Sequence, residues 1–88
     1  DQDLEKSLEI IAPYGFHARP ALKICGMVKE YSGDVYMIHE DKIADMKNII
    51  KILALDVKKG SRVTIQVSGE GEEKMAERLV EFILNIVD

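Results

Sequence analysis

Residues 62–68 alternate strictly: Val63, Ile65 and Val67 are apolar, and Arg62, Thr64, Gln66 and Ser68 around them are polar. A side-chain period of two fits an extended strand with one dry face and one wet face. Such a strand cannot stand alone, so the rest of the chain must supply neighbours for its backbone and a cover for its apolar side. Leu8, Ile10 and Ala12 alternate in the same way with Ser7, Glu9 and Ile11, and that run ends before Pro13. Residues 35–38 read as a short strand, His39-Glu40-Asp41-Lys42 as a polar turn, and residues 43–45 as the return arm of a hairpin. His39 is expected to be solvated in that turn.

The cover comes from three segments with a helical period. Over residues 18–31, Ala21, Ile24, Cys25, Val28 and Tyr31 fall on one stripe, which makes Cys25 a small core residue. Pro20 is compatible with this helix because N–H groups in a first turn have no partner inside the helix. Ser32-Gly33 ends it. A short helix covers residues 48–55, with Asn48 suited to be its N-cap and with Ile52 and Leu55 turned inward. After a Lys58-Lys59-Gly60 turn and the alternating strand, a last helix over residues 72–87 aligns Met75, Leu79, Phe82, Ile83 and Ile86. Its acidic first turn suits the helix dipole.

The order is therefore β-α-β-β-α-β-α. It predicts an α/β (α+β) fold of the open-faced β-sandwich kind, a four-stranded antiparallel sheet covered on one face by three helices. With 88 residues, 47% of them hydrophobic, and no linker or repeat, the chain reads as a single domain over residues 1–88. It begins at Asp1 instead of methionine, which fits a trimmed chain or one domain of something longer. Cys25 is the only cysteine, so no internal disulfide forms and a reducing compartment is favoured. No signal-peptide pattern opens the chain and no apolar run nears the ~20 residues a membrane span needs, so a cytoplasmic protein without membrane insertion is expected. A net charge of −4, no basic block and 6% aromatic residues argue against nucleic-acid binding. His17, His39, Cys25 and scattered carboxylates do not make the three-ligand set of a catalytic zinc site, and no metal or cofactor is expected.

His17 lies between a strand end and a helix start, preceded by Gly15 and followed by Ala18-Arg19-Pro20. The positive end of the helix dipole and the unpaired N–H groups there attract anions. The same field, together with Arg19, disfavours an imidazolium and keeps His17 neutral and nucleophilic. A phosphoryl group accepted on that imidazole would meet backbone donors and a guanidinium able to bind it bidentately. The bland alternative is a solvent-exposed histidine at a helix start, and these residues alone leave both open. A second feature is similarly open. Ala18, Leu22 and Gly26 form a row off the buried stripe of the first helix, and Ile49, Ile50 and Leu53 lie off the inward face of the short one. Either these rows are core, or they form an apolar patch beside His17 rimmed by Lys23, Lys47 and Lys51, as protein interfaces are.

Gly15-Phe16-His17-Ala18-Arg19-Pro20-Ala21 closely resembles the Gly-x-His-x-Arg-Pro-Ala signature of HPr, the histidine-containing phosphocarrier of the phosphoenolpyruvate-dependent sugar phosphotransferase system. Length, element order, the Val57-Lys58-Lys59-Gly60 turn and the Gly-Glu-Gly-Glu-Glu entry to the last helix extend the resemblance over essentially the whole chain. The resemblance implies that His17 accepts a phosphoryl group on Nδ1 from phosphorylated Enzyme I and passes it to a histidine of sugar-specific IIA domains. Arg19 would stabilise the phosphoryl charge, Pro20 fix the helix start and Gly15 allow the tight turn. Ala18, Leu22, Ile49, Ile50, Lys51 and Leu53 would dock the partners, and the protein would act as a monomeric stoichiometric carrier, not an enzyme. Regulatory relatives, in a nitrogen branch or within a multiphosphoryl-transfer protein, are the alternative. A fold kept only for non-covalent binding is disfavoured by the intact motif. Three positions depart from the pattern. Asn48 stands where many Gram-positive relatives carry a regulatory serine, so it would cap the helix without being phosphorylatable. Tyr14 precedes the glycine where a small or polar residue is expected, and Lys51 replaces a glycine or polar residue.

Overall fold

The computed structural model describes residues 4–13, 15 and 18–86. The elements run β1 (Leu4–Glu9), α1 (Ala18–Lys29), β2 (Asp34–His39), β3 (Lys42–Asp45), α2 (Ile49–Ala54), β4 (Arg62–Ser68) and α3 (Glu72–Leu84). The strands form one antiparallel sheet in the order β1-β4-β2-β3, so the strand with the strictest alternation lies at its centre, beside β2. Val63, Ile65 and Val67 of β4, Val35 and Met37 of β2, Leu8 of β1 and Ala44 of β3 are buried on the covered face. They pack with Ala21, Ile24 and Val28 of α1, Ile52 of α2, and Met75, Ala76, Leu79 and Ile83 of α3 in one core. The opposite face carries polar cross-strand pairs. Ser7 Oγ and Thr64 Oγ1 are 2.9 Å apart, and Gln66 Nε2 donates to Glu5 Oε2 at 2.7 Å. Each such pair contributes roughly 0.2–1 kcal/mol and fixes the register of edge strand β1 on β4.

The fold class and element order expected from the sequence are those observed. His39 is the clear correction. It is the last residue of β2, not part of a solvated turn, and it is buried. The alternation that buries Val35 and Met37 brings residue 39 to the same face, leaving Glu40-Asp41 as the turn. Its Nδ1 lies 2.9 Å from the Leu55 carbonyl oxygen just beyond α2, and since a carbonyl only accepts, Nδ1 carries the proton. The end of β2 is thereby tied to the end of α2.

Helix α1 stops at Lys29, two residues short of the predicted stripe, and Tyr31 closes a last turn through its N–H to the Val28 carbonyl at 3.0 Å. Beyond it Gly33 meets Gly69 backbone to backbone. A Cβ on Gly33 would run into the Ser68 carbonyl oxygen and come within 3.0 Å of Gly69 Cα, so no other residue fits without displacement. The Tyr31 ring packs on this contact. Its hydroxyl oxygen is buried without a hydrogen-bond partner, and loss of solvent, followed by the charges of Glu72 and Glu70, raises its pKa above the ordinary 10.0.

A tyrosine with a raised native pKa stabilises the fold below its unfolded value, near 10, and the contribution is lost as pH rises through the native value. Denaturant titrations at alkaline pH should show this loss. Tyr31→Phe should abolish that component and leave neutral-pH stability unchanged or higher, because it removes an unsatisfied hydroxyl.

Candidate functional site

The chain leaves β1 through a segment laced to the loop before β4. Ile10 N donates to Ser61 O and Gly60 N to Ile10 O, both at 2.7 Å. Gly15 then closes a turn on the Ala12 carbonyl at 3.1 Å with φ of +64°, a conformation that disfavours side chains. It is buried, and a Cβ there would press on the Val57 carbonyl oxygen and lie 2.7 Å from Lys58 Cα. The tight turn expected at Gly15 is thus held against residues 57–58. His17 lies outside the described residues, as do Tyr14 and Phe16. On the far side, α1 opens with Ala18 and Arg19 exposed and Pro20 buried in the first turn. N–H groups of such a turn lack intrahelical acceptors and point toward the helix start.

Helix α2 packs beside α1. Asn48 caps it as predicted, with extended backbone at φ −117° and ψ 108° and its side-chain oxygen accepting from Ile50 N at 3.0 Å and Lys51 N at 3.4 Å. Ile52 and Leu55 point into the core. The two apolar rows left open by the sequence are at the surface: Leu22 is 62% exposed, Ile50 73% and Leu53 39%, with Ala18, Gly26 and Lys51 exposed and Ile49 half-buried. Of the three rim lysines, Lys23 and Lys51 are exposed, whereas Lys47 is half-buried with Nζ donating to the Tyr31 carbonyl at 2.8 Å. Cys25, expected in the core, is also only half-buried, and its thiol donates to the Lys47 carbonyl at 3.2 Å. Neither contact has a signature in the sequence, since both join residues far apart in the chain. Among the described residues no group of three histidine, cysteine or acidic side chains could hold a metal, and no helix is long and apolar enough to cross a membrane.

Two substitutions separate turn geometry from surface chemistry. Gly15→Ala should lower unfolding free energy by about 1–3 kcal/mol, through the left-handed backbone and the clash with residues 57–58. Ile50→Asp should change it by less than about 0.5 kcal/mol, because the side chain is on the surface. Urea denaturation of both variants checks the contrast.

The chain matches the family model described as the PTS HPr component phosphorylation site over residues 4–85. It is 35% identical over 78 residues to the phosphocarrier protein HPr of Haemophilus influenzae, covering 89% of this chain and 92% of that one. With the phosphocarrier protein HPr of Buchnera aphidicola it shares 32% identity over 75 residues, 85% of this chain and 88% of the relative. An HPr structure from Thermoanaerobacter tengcongensis superposes with a TM-score of 0.86 at 30% identity, covering 91% of this chain and 90% of that one. A motif-bearing strand-to-helix junction on this sheet, matched along nearly its whole length, makes the chain a member of the HPr family of phosphocarrier proteins of the phosphotransferase system.

Proposed function

We propose that this chain, as one domain over residues 1–88, carries a phosphoryl group on His17 between phosphorylated Enzyme I and IIA components for sugar uptake in the cytoplasm. The observation that carries the reading is the family match across residues 4–85 coinciding with an intact Gly15-x-His17-x-Arg19-Pro20-Ala21 motif. The neutral imidazole Nδ1 forms a bond to phosphorus as the bond from phosphorus to the donor group on Enzyme I breaks. Backbone N–H groups of the first turn of α1 and the Arg19 guanidinium then balance the charge of the phosphoryl oxygens. Handing the group to an acceptor histidine reverses these steps and returns His17 unchanged. The protein is a reactant, with no cofactor.

Ala18, Leu22, Ile49, Ile50, Lys51 and Leu53 form the docking face in this reading. It is supported by the exposure of Leu22, Ile50 and Leu53 on neighbouring helices, with an exposed cation at residue 51. Because α1 and α2 belong to the same chain, a monomer suffices, although an HPr from Thermoanaerobacter tengcongensis, 30% identical, is described as a dimer. Asn48 offers no hydroxyl, so a serine kinase acting at that position of relatives has no target here.

Incubation with phosphoenolpyruvate and Enzyme I should leave an acid-labile, base-stable phosphate on the protein, and His17→Ala should abolish it. Labelling of that variant would place the phosphate elsewhere. Arg19→Glu should fold normally and transfer at least about tenfold more slowly, the scale of one lost charge-assisted contact; an unchanged rate would remove Arg19 from charge stabilisation.

A further inference from the structure

We infer that Cys25 and Lys47 are positioning residues, a two-bond clip that sets the angle of α2 on α1 and so assembles the docking face. This inference rests on the α1–α2 face being the surface that meets partners.

Helix α2 is short, spanning only Ile49–Ala54, and Ile52 is the one residue within it that is buried. A helix of that length is marginal alone, and Ile52 with half-buried Ile49 and the following Leu55 seat it on the core without setting its angle to α1. Its orientation must come from its ends. At the C-terminal end His39 Nδ1–H holds the Leu55 carbonyl. At the N-terminal end Asn48 caps the helix, but a cap fixes only the helix to its own preceding loop. That loop is joined to α1 by two contacts at Lys47. The Cys25 thiol donates to the Lys47 carbonyl at 3.2 Å, and the Lys47 ammonium donates to the Tyr31 carbonyl at 2.8 Å. Lys47 N also donates to Asp45 Oδ1 at 2.9 Å, and Asn48 N to the Asp45 carbonyl at 3.0 Å, so the residue caught by the clip is itself rigid.

The two bonds act at different points along α1. Cys25 lies within the helix, next to Gly26 of the exposed row, and Tyr31 lies just beyond its C-terminus, where the last carbonyls lack intrahelical donors. Two anchors separated along one helix fix a direction, where one would leave a pivot. The ammonium is spent on this clip, so Lys47 acts from behind the docking face, and Lys23 and Lys51 supply the exposed charge beside it.

The test compares Cys25→Val, which fills the same space without a donor, with Cys25→Ser, which keeps one. In a phosphoryl-transfer assay with Enzyme I as the varied reactant, Cys25→Val should raise the half-saturating Enzyme I concentration about threefold to tenfold with the maximal rate retained, the scale of one neutral hydrogen bond. Cys25→Ser should restore it toward the native value. Lys47→Met, which keeps the apolar stem but cannot reach Tyr31 as a donor, should raise it as well. A packing role would lower urea stability in step with side-chain volume and leave Val closer to native than Ser, and that ordering would overturn the clip. Native half-saturation in both Cys25→Val and Lys47→Met would overturn it too. Ile50→Asp is run beside them: if it weakens docking while the clip variants do not, the clip fails alone, and if it has no effect, the docking face itself is wrong.

Discussion

Hydrogen bonding between β2 and β4 sets Val35 opposite Val67 and Met37 opposite Ile65, so the apolar sides of the two central strands share one face. Slipping β4 by one residue in this register would turn Thr64 and Gln66 toward the helices and expel Val63, Ile65 and Val67 from the core. The same pairing delivers His39 inward, opposite Val63, where its ring can reach the carbonyl beyond α2. Helix placement is thus subordinate to strand register: α3 follows β4 directly, and α2 is caught between the end of β2 and the flank of α1.

The end of the molecule that carries the proposed site depends on this frame through loops, not through further burial of side chains. The turn at Gly15 is pressed on residues 57–58, and Ile10, earlier in the same loop, exchanges hydrogen bonds with residues 60 and 61. The loop entering β4 therefore braces the loop leaving β1. At the other end of α1, Gly33 and Gly69 touch, which couples the exit of α1 to the entry of α3. Both braces use glycine where a side chain would separate two backbones.

Periodicity carried most of the fold. The strands around Leu8, Val35 and Val63 and the buried faces of the helices could be read because each apolar pattern is local and the burial it predicts is the dominant stabilising term. Asn48 as a cap was legible for the same reason, since a cap bonds to residues two and three positions on. His39 differs from its sequence reading because strand parity, not its polar neighbours, decides its burial. The extent of α1 was overstated because Tyr31 keeps the helical spacing while its backbone has already left the helix. Whether Leu22 and Ile50 were core or surface was not decidable from spacing, because both faces of a short helix can be apolar and only the packed neighbours choose between them. The Lys47 contacts were beyond reach altogether, being bonds from side chains to carbonyls distant in sequence. At the proposed site the motif itself was legible, and its meaning came from resemblance to a family.

The exposed rows of α1 and α2 offer one face, and the opposite side of the sheet carries hydrogen-bonded polar pairs at Ser7, Thr64, Gln66 and Glu5. In the proposed reading, a carrier that loads and unloads through this one face cannot hold donor and acceptor together. Occupancy by one excludes the other, so throughput is governed by how briefly each complex lasts and not by how tightly it forms. A small exposed apolar surface suits short residence times, and on the proposed function strengthening it beyond a point would slow the relay.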